Sequence, residues 1–151
     1  MSIRNQIEAI VQTLTNNPTF VYGTANELNL LADDAVFPCV FMYTLPAITL
    51  SPQINGSVDN VFSVVLEFLY KTEFDQYTSA NETYVDQALH LANEFVVKAS
   101  KYRTTEGRYF KIKPGNSLNA KCLPIYNKYD VNTTGISLTL NLSTMYFENF
   151  G

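Results

Sequence analysis

From Ile136 to Leu142 the chain alternates without a fault. Ile136, Leu138, Leu140 and Leu142 are apolar; Ser137, Thr139 and Asn141 between them are polar. Strand side chains point to opposite faces in turn, so this pattern calls for a sheet with one covered and one open face. A second stretch, "DNVFSVVLEFLYKTEF" (59–74), repeats the demand. Phe62, Val64, Leu66, Phe68 and Tyr70 share one face; Val61, Ser63, Val65, Glu67 and Leu69 share the other, which is half polar. The cover is expected from a helix over about 80–101. Ser79 and Glu82 form a capping-box pattern at its start, and Val85, Ala88, Leu89, Ala92, Phe95, Val96 and Ala99 form its apolar stripe. Ile136, Leu138, Leu140 and Leu142 should lie under it, and burying four such side chains contributes on the order of 6–12 kcal/mol before conformational entropy is set against it.

The other elements follow in order. Ile3, Ile7, Ile10, Val11 and Leu14 recur at helical spacing, with Ser2 as a cap and "TNNP" (15–18) as a stop. "TFVYG" (19–23) reads as a short strand and "TANELNLLADDA" as an irregular or briefly helical connection. "VFPCVFMYT" (36–44) is apolar on both faces, as a central strand is. Residues 45–58, "LPAITLSPQINGSV", hold two prolines, one glycine and no charge but flank a long strand; they form a protruding loop or the tip of an extended hairpin. After the long helix, "GRYFKIK", "NAKCLPIYNKY" and the alternating stretch are strands separated by the turns "PGNS" and "DVNTTG". The fold class is α+β: one domain over 1–151, a twisted and mostly antiparallel sheet, with the N-terminal helix and the long helix packed on one face.

A chain of 151 residues with 46% hydrophobic and 16% charged residues suits one packed domain. The start, "MSIRNQIEAIVQTL", has no continuous apolar run, and no stretch approaches the ~20 apolar residues of a spanning helix. A soluble chain kept in cytoplasm is expected, with no membrane partner.

Groups able to do chemistry are scarce. His90 is the sole histidine, one turn before Glu94; such a pair suits an exposed helix face better than a catalytic or metal site. Asp33–Asp34 reads as a solvated turn or a helix start. Cys39 and Cys122 sit in apolar runs beside prolines, as buried thiols do, and two cysteines with one histidine do not make a zinc site. No phosphate-binding glycine loop, G-x-S-x-G, H-E-x-x-H or C-x-x-C occurs. The expectation is a chain that is not an enzyme and needs no cofactor.

Charge is segregated. Residues 1–97 carry two basic and eleven acidic residues, net −9. Residues 98–128 carry eight basic residues and Glu106, net +7; the remainder adds −2. The basic strip includes Lys98, Lys101, Arg103, Arg108, Lys111 and Lys113. Lysines flanking exposed strands discourage edge pairing. A strip with interleaved aromatics, "YRTTEGRYFKIK", also suits nucleic acid, as in a small cytoplasmic binding module. A third use is self-complementation, in which the basic part of one copy meets the acidic part of the next; a head-to-tail contact of that kind closes into a ring when the rotation allows.

The order of elements resembles the tail-terminator and head-to-tail connector (neck) proteins of tailed bacteriophages. The likeness is carried by the short amphipathic N-terminal helix, the "FPCVFMY" strand after an irregular segment, the loop or hairpin at 45–58, the "VFSVVLEFLY" strand, the single long helix and the final alternating strand. It is a likeness of architecture, with no motif to transfer residue by residue. It implies a structural virion protein: a homo-oligomeric ring of six or twelve copies around the DNA channel, between portal and tail, assembled in the bacterial host cytoplasm. Its neighbours would be portal, connector or tail proteins, and DNA would pass without sequence-specific binding. Ile48, Leu50 and Ile54 are the expected docking residues of the projecting segment, and the basic strip the expected subunit flank.

Overall fold

The computed structural model describes residues 3–31, 35–45, 47–73, 78–101, 111–112, 120–129 and 132–146. Two strands of equal length form its spine. β4 (Val58–Lys71) and β7 (Thr133–Tyr146) pair antiparallel over all fourteen positions, from Val58 opposite Tyr146 to Lys71 opposite Thr133. Each outer flank of this ribbon holds two shorter strands end to end. Against β4 lie β3 (Ile48–Pro52), opposite 58–62, and β2 (Cys39–Tyr43), opposite 66–69. Against β7 lie β6 (Lys121–Lys128) and β5 (Lys111–Ile112). β1 (Thr19–Gly23) joins β2 in parallel and completes a seven-stranded sheet. The expected α+β class and antiparallel bias are present.

The 2-residue periodicity is cashed out on one face of the spine. Val64, Leu66 and Phe68 from β4 and Ile136, Leu138, Leu140 and Leu142 from β7 are buried together beneath two helices, α1 (Ile3–Val11) and α3 (Thr78–Lys101). Ile3, Ile7, Ile10 and Val11 supply the α1 stripe. From α3 come Val85, Ala88, Leu91, Ala92, Phe95 and Ala99, and Phe95 meets Phe68 edge-on with ring centroids 6.2 Å apart. The stripe differs from expectation at its shoulders. Leu91 is buried, Val96 only packs against the core, and Leu89 is exposed. The line 85-88-92-95-99 defines the buried axis, and residue 91 leans toward the sheet while 89 leans away. α3 starts at Thr78, so Ser79 lies inside the first turn; its side chain, like Ser2, lies outside the described residues.

The second face is covered at one end. α2 (Ala25–Leu31), in the segment expected to be irregular or briefly helical, packs there, and Leu28, Cys39, Phe41 and Leu69 make a smaller core, while Thr139 farther along β7 is exposed. β2 is therefore apolar in both directions: Val40 and Met42 enter the large core, Cys39 and Phe41 the small one. The segment 24–31 forms a true helix because Thr24 and Glu27 cap it reciprocally. The Thr24 amide donates to Glu27 Oε2 (2.7 Å) and the Glu27 amide to Thr24 Oγ1 (3.3 Å). The segment 45–58 resolves as a hairpin, with β3 returning through the turn at 53–57, where Gly56 has φ +85°. α1 ends at Val11, and the chain leaves it through turns in which Asn16 and Asn17 take positive φ (67° and 46°) just before Pro18.

Candidate functional site

Three regions hold the residues that the sequence singles out or hides: the β3–β4 hairpin, the basic flank, and a polar knot behind β4.

The hairpin is an apolar projection. Ile48 and Leu50 stand opposite Phe62 and Asn60, on the helix-bearing face, yet Leu50 is 64% exposed and Ile48 53%. Ile54, at the tip, is fully exposed. β3 pairs with β4 alone among the described residues, and "ITLSP" holds no charged residue; its terminal Pro52 is its only edge-blunting feature. The hairpin tip stands at the Val58–Tyr146 end of the spine.

The basic flank is only partly assembled. Arg103, Arg108 and Lys113 lie outside the described residues, and Lys111 lies in β5, opposite Ser143. Lys101 is exposed at the last residue of α3, where a cation suits the carbonyl end of a helix. Lys98 is committed within the chain. Its Nζ lies 3.1 Å from Glu94 Oε1 and donates to the Thr13 carbonyl at 2.5 Å, while Glu94 Oε1 also accepts from the Thr15 amide (3.0 Å) and hydroxyl (3.1 Å). This group ties the end of α1 to the last turns of α3. Burial works against the charge on Glu94, but Lys98 and the two Thr15 donors outweigh it and hold the carboxyl below its usual range.

Glu94 is thus taken by Lys98 and Thr15. His90 is exposed beside a hollow of about 280 Å3 whose lining includes Asn16, Tyr70 and Asp86. Asp33 and Asp34 lie outside the described residues. Among the described residues no three His, Cys, Asp or Glu side chains gather as metal ligands. Cys39 belongs to the small core, whereas Cys122 packs against the large one, so the sheet itself separates them and both are free thiols. Burial pushes the Cys39 thiol up to about 12, with a hydrogen bond from Thr19 offsetting only part, and pushes Cys122 up as well.

The polar knot was not visible in the sequence. Glu67 is 1% exposed on the face of β4 that the alternation marks as half polar. Its Oε1 accepts from the Tyr43 hydroxyl (2.6 Å) and from the Tyr129 hydroxyl, and the two phenols are 2.5 Å apart. Its Oε2 accepts from Lys128 Nζ at 2.7 Å, and the same ammonium donates to the Tyr43 hydroxyl at 3.1 Å. Lys128 also lies over both rings, 5.6 Å from the Tyr43 centroid and 5.1 Å from that of Tyr129. Three elements meet here: the end of β2, the middle of β4 and the end of β6. A bulge between Ile125 and Lys128, with Asn127 and Tyr129 at positive φ (52° and 67°), turns Lys128 and Tyr129 inward. Burial and the adjacent carboxylate raise both phenols above their ordinary value; burial alone would lower Lys128, but Glu67 and Tyr43 raise it on balance. The ammonium and the neutral phenols are therefore the resident forms, and the knot acts as a tie between the two flanks of the sheet. The one signal in the sequence was an acidic residue in an otherwise apolar central strand, which requires partners wherever it is buried.

No described helix is long and apolar enough to cross a membrane. Comparison of the sequence with models of known protein families and with characterised proteins finds no match.

Proposed function

We propose that this chain is a structural ring protein of a tailed-bacteriophage virion, in the neck or tail-terminator region between portal and tail. Six or twelve copies surround the DNA channel; the chain catalyses nothing, takes no cofactor and lets DNA pass without reading it. The observation that carries this reading is the hairpin. Ile48, Leu50 and Ile54 are large, apolar and exposed on an uncharged edge, an arrangement that invites association in a free monomer and suits a surface meant to be covered. Because its tip stands at the end of the spine, the hairpin reaches along the axis to an adjoining collar. The segregation of charge, net −9 over 1–97 and net +7 over 98–128, supports side-by-side contact between copies.

The mass of the purified chain by light scattering tests the reading: a closed ring is expected, and a monomer at every concentration overturns it. Deletion of 47–56 should leave heads and tails unjoined in an infected cell; normal joining refutes the docking role. The double variant Lys111→Glu/Lys113→Glu should weaken the ring most at low salt. A monomer that binds DNA with steep salt dependence would instead make 98–128 a nucleic-acid surface.

A further inference from the structure

The two lateral edges of the sheet differ in chemistry and fit each other. At one edge, between β1 and α2, lies a hollow of about 480 Å3 lined by Tyr22, Gly23, Glu27, Leu30 and Leu31. Leu30 is 73% exposed at its rim, and Leu31 is exposed beside it. The hollow is apolar with one carboxylate, and Glu27 cannot be exchanged freely because it caps α2 through Thr24. At the opposite edge, β6 alternates: Cys122 packs against the large core and Ile125 against the small one. Lys121 and Leu123 therefore point to the same side of the sheet as α2. Both are exposed, Leu123 at 56%.

We infer that the hollow between β1 and α2 receives the β6 edge of a neighbouring copy, with Leu123 against Leu30 and Leu31 and Lys121 facing Glu27. The inference rests on the ring reading and supplies its lateral contact. Charge complementarity selects a second copy as the occupant: the hollow with its Glu27 carboxylate and the edge with its Lys121 ammonium belong to one chain, at opposite ends of one sheet. Such a contact is heterologous, so it propagates from copy to copy and closes by rotation. It works by side chains entering a hollow. Direct strand pairing along β6 is opposed by Pro124, which lacks an N–H, by Lys121 and by the bulge between Ile125 and Lys128.

The test uses two full-length variants and their mixture. Leu30→Glu spoils the hollow and Leu123→Glu spoils the edge; both positions are exposed, so circular dichroism should match the wild type. Light scattering should show a ring for the wild type, a monomer for each variant alone, and a two-subunit mass for the 1:1 mixture. The mixture stops there because one intact hollow meets one intact edge and no further such pair exists. If both variants form wild-type rings, the contact is wrong while the ring reading stands. If the variants are monomers that do not pair on mixing, the contact is likewise overturned. A monomeric wild type removes the ring reading and this contact with it.

Discussion

Glu67 and Lys128 form an ion pair of unequal burial: the carboxylate is enclosed behind β4, while the ammonium 2.7 Å away is half-exposed at the end of β6. The pair joins the flank carrying β2 to the flank carrying β6, with Tyr43 and Tyr129 completing the shell. Removing Glu67 takes the acceptor from both phenols and from the ammonium, and hydrogen bonds to a charged group contribute about 1.5–3 kcal/mol each. Glu67→Ala is expected to lose about 3–5 kcal/mol in urea unfolding. Lys128→Met should lose less, about 1–3 kcal/mol, since two phenols still donate to the carboxylate. Equal losses would show that the phenols contribute nothing to holding Glu67.

The same knot predicts an alkaline limit. Tyr43, Tyr129 and Lys128 all have folded pKa values above their ordinary ones, 10.0 for the phenols and 10.5 for the ammonium. The unfolded chain therefore releases these protons first as pH rises, and stability present below pH 10 is lost above it. Unfolding midpoints measured from pH 8 to 11 should be flat and then fall. In Tyr43→Phe/Tyr129→Phe the fall should be shallower; an unchanged slope would place the alkaline sensitivity elsewhere, as at Tyr70, which burial raises too.

Gly135 predicts a steric failure. It sits opposite Leu69, near the Lys71–Thr133 end of the spine, and a Cβ built on it would lie 1.8 Å from the Phe68 carbonyl oxygen. Backbone must move to admit a methyl group. Gly135→Ala is expected to cost at least about 3 kcal/mol, whereas Gly56→Ala meets no neighbouring atom and pays only for its positive φ, about 1 kcal/mol. Thermal melts of the two variants separate a blocked close approach from a strained turn.

These cases mark what was legible in advance. Two-residue periodicity in 59–74 and 136–142 located the spine, its covered face and the helix above it, because one-sided burial is a local property of a strand. The hairpin at 45–58 was foreshadowed by prolines, a glycine and missing charge next to a long strand. The second core was legible only in part: 36–44 is apolar on both faces, but α2 depends on the Thr24–Glu27 cap and on one buried leucine, Leu28, too short a pattern to declare a face. The knot was missed for a different reason. Tyr43, Glu67 and Lys128 are far apart in the chain, and only the flanking of β4 by β2 and β7, with the bulge at Asn127, brings them together. The basic strip read as one surface, yet Lys98 turns out to be occupied inside the molecule.

Lys98 and Lys101 should accordingly behave as different kinds of residue. Lys98 closes the α1–α3 junction through Glu94 and the Thr13 carbonyl; Lys101 is exposed one turn later. Lys98→Ala is expected to lower stability by about 1 kcal/mol, a hydrogen-bonded charge pair discounted for its partial exposure, while Lys101→Ala stays within about 0.5 kcal/mol. The junction also has an acid signature. Glu94 titrates below its ordinary value of 4.5 in the folded chain, so its contribution is complete above that pH and is lost as pH falls through the lower, folded value. Chemical unfolding between pH 7 and 3 should show wild type losing stability faster than Glu94→Gln at the acid end. Parallel curves would mean that Glu94 is held no more tightly in the fold than in the unfolded chain, and that the α1–α3 junction depends on Ile7, Ile10 and Leu14 packing alone.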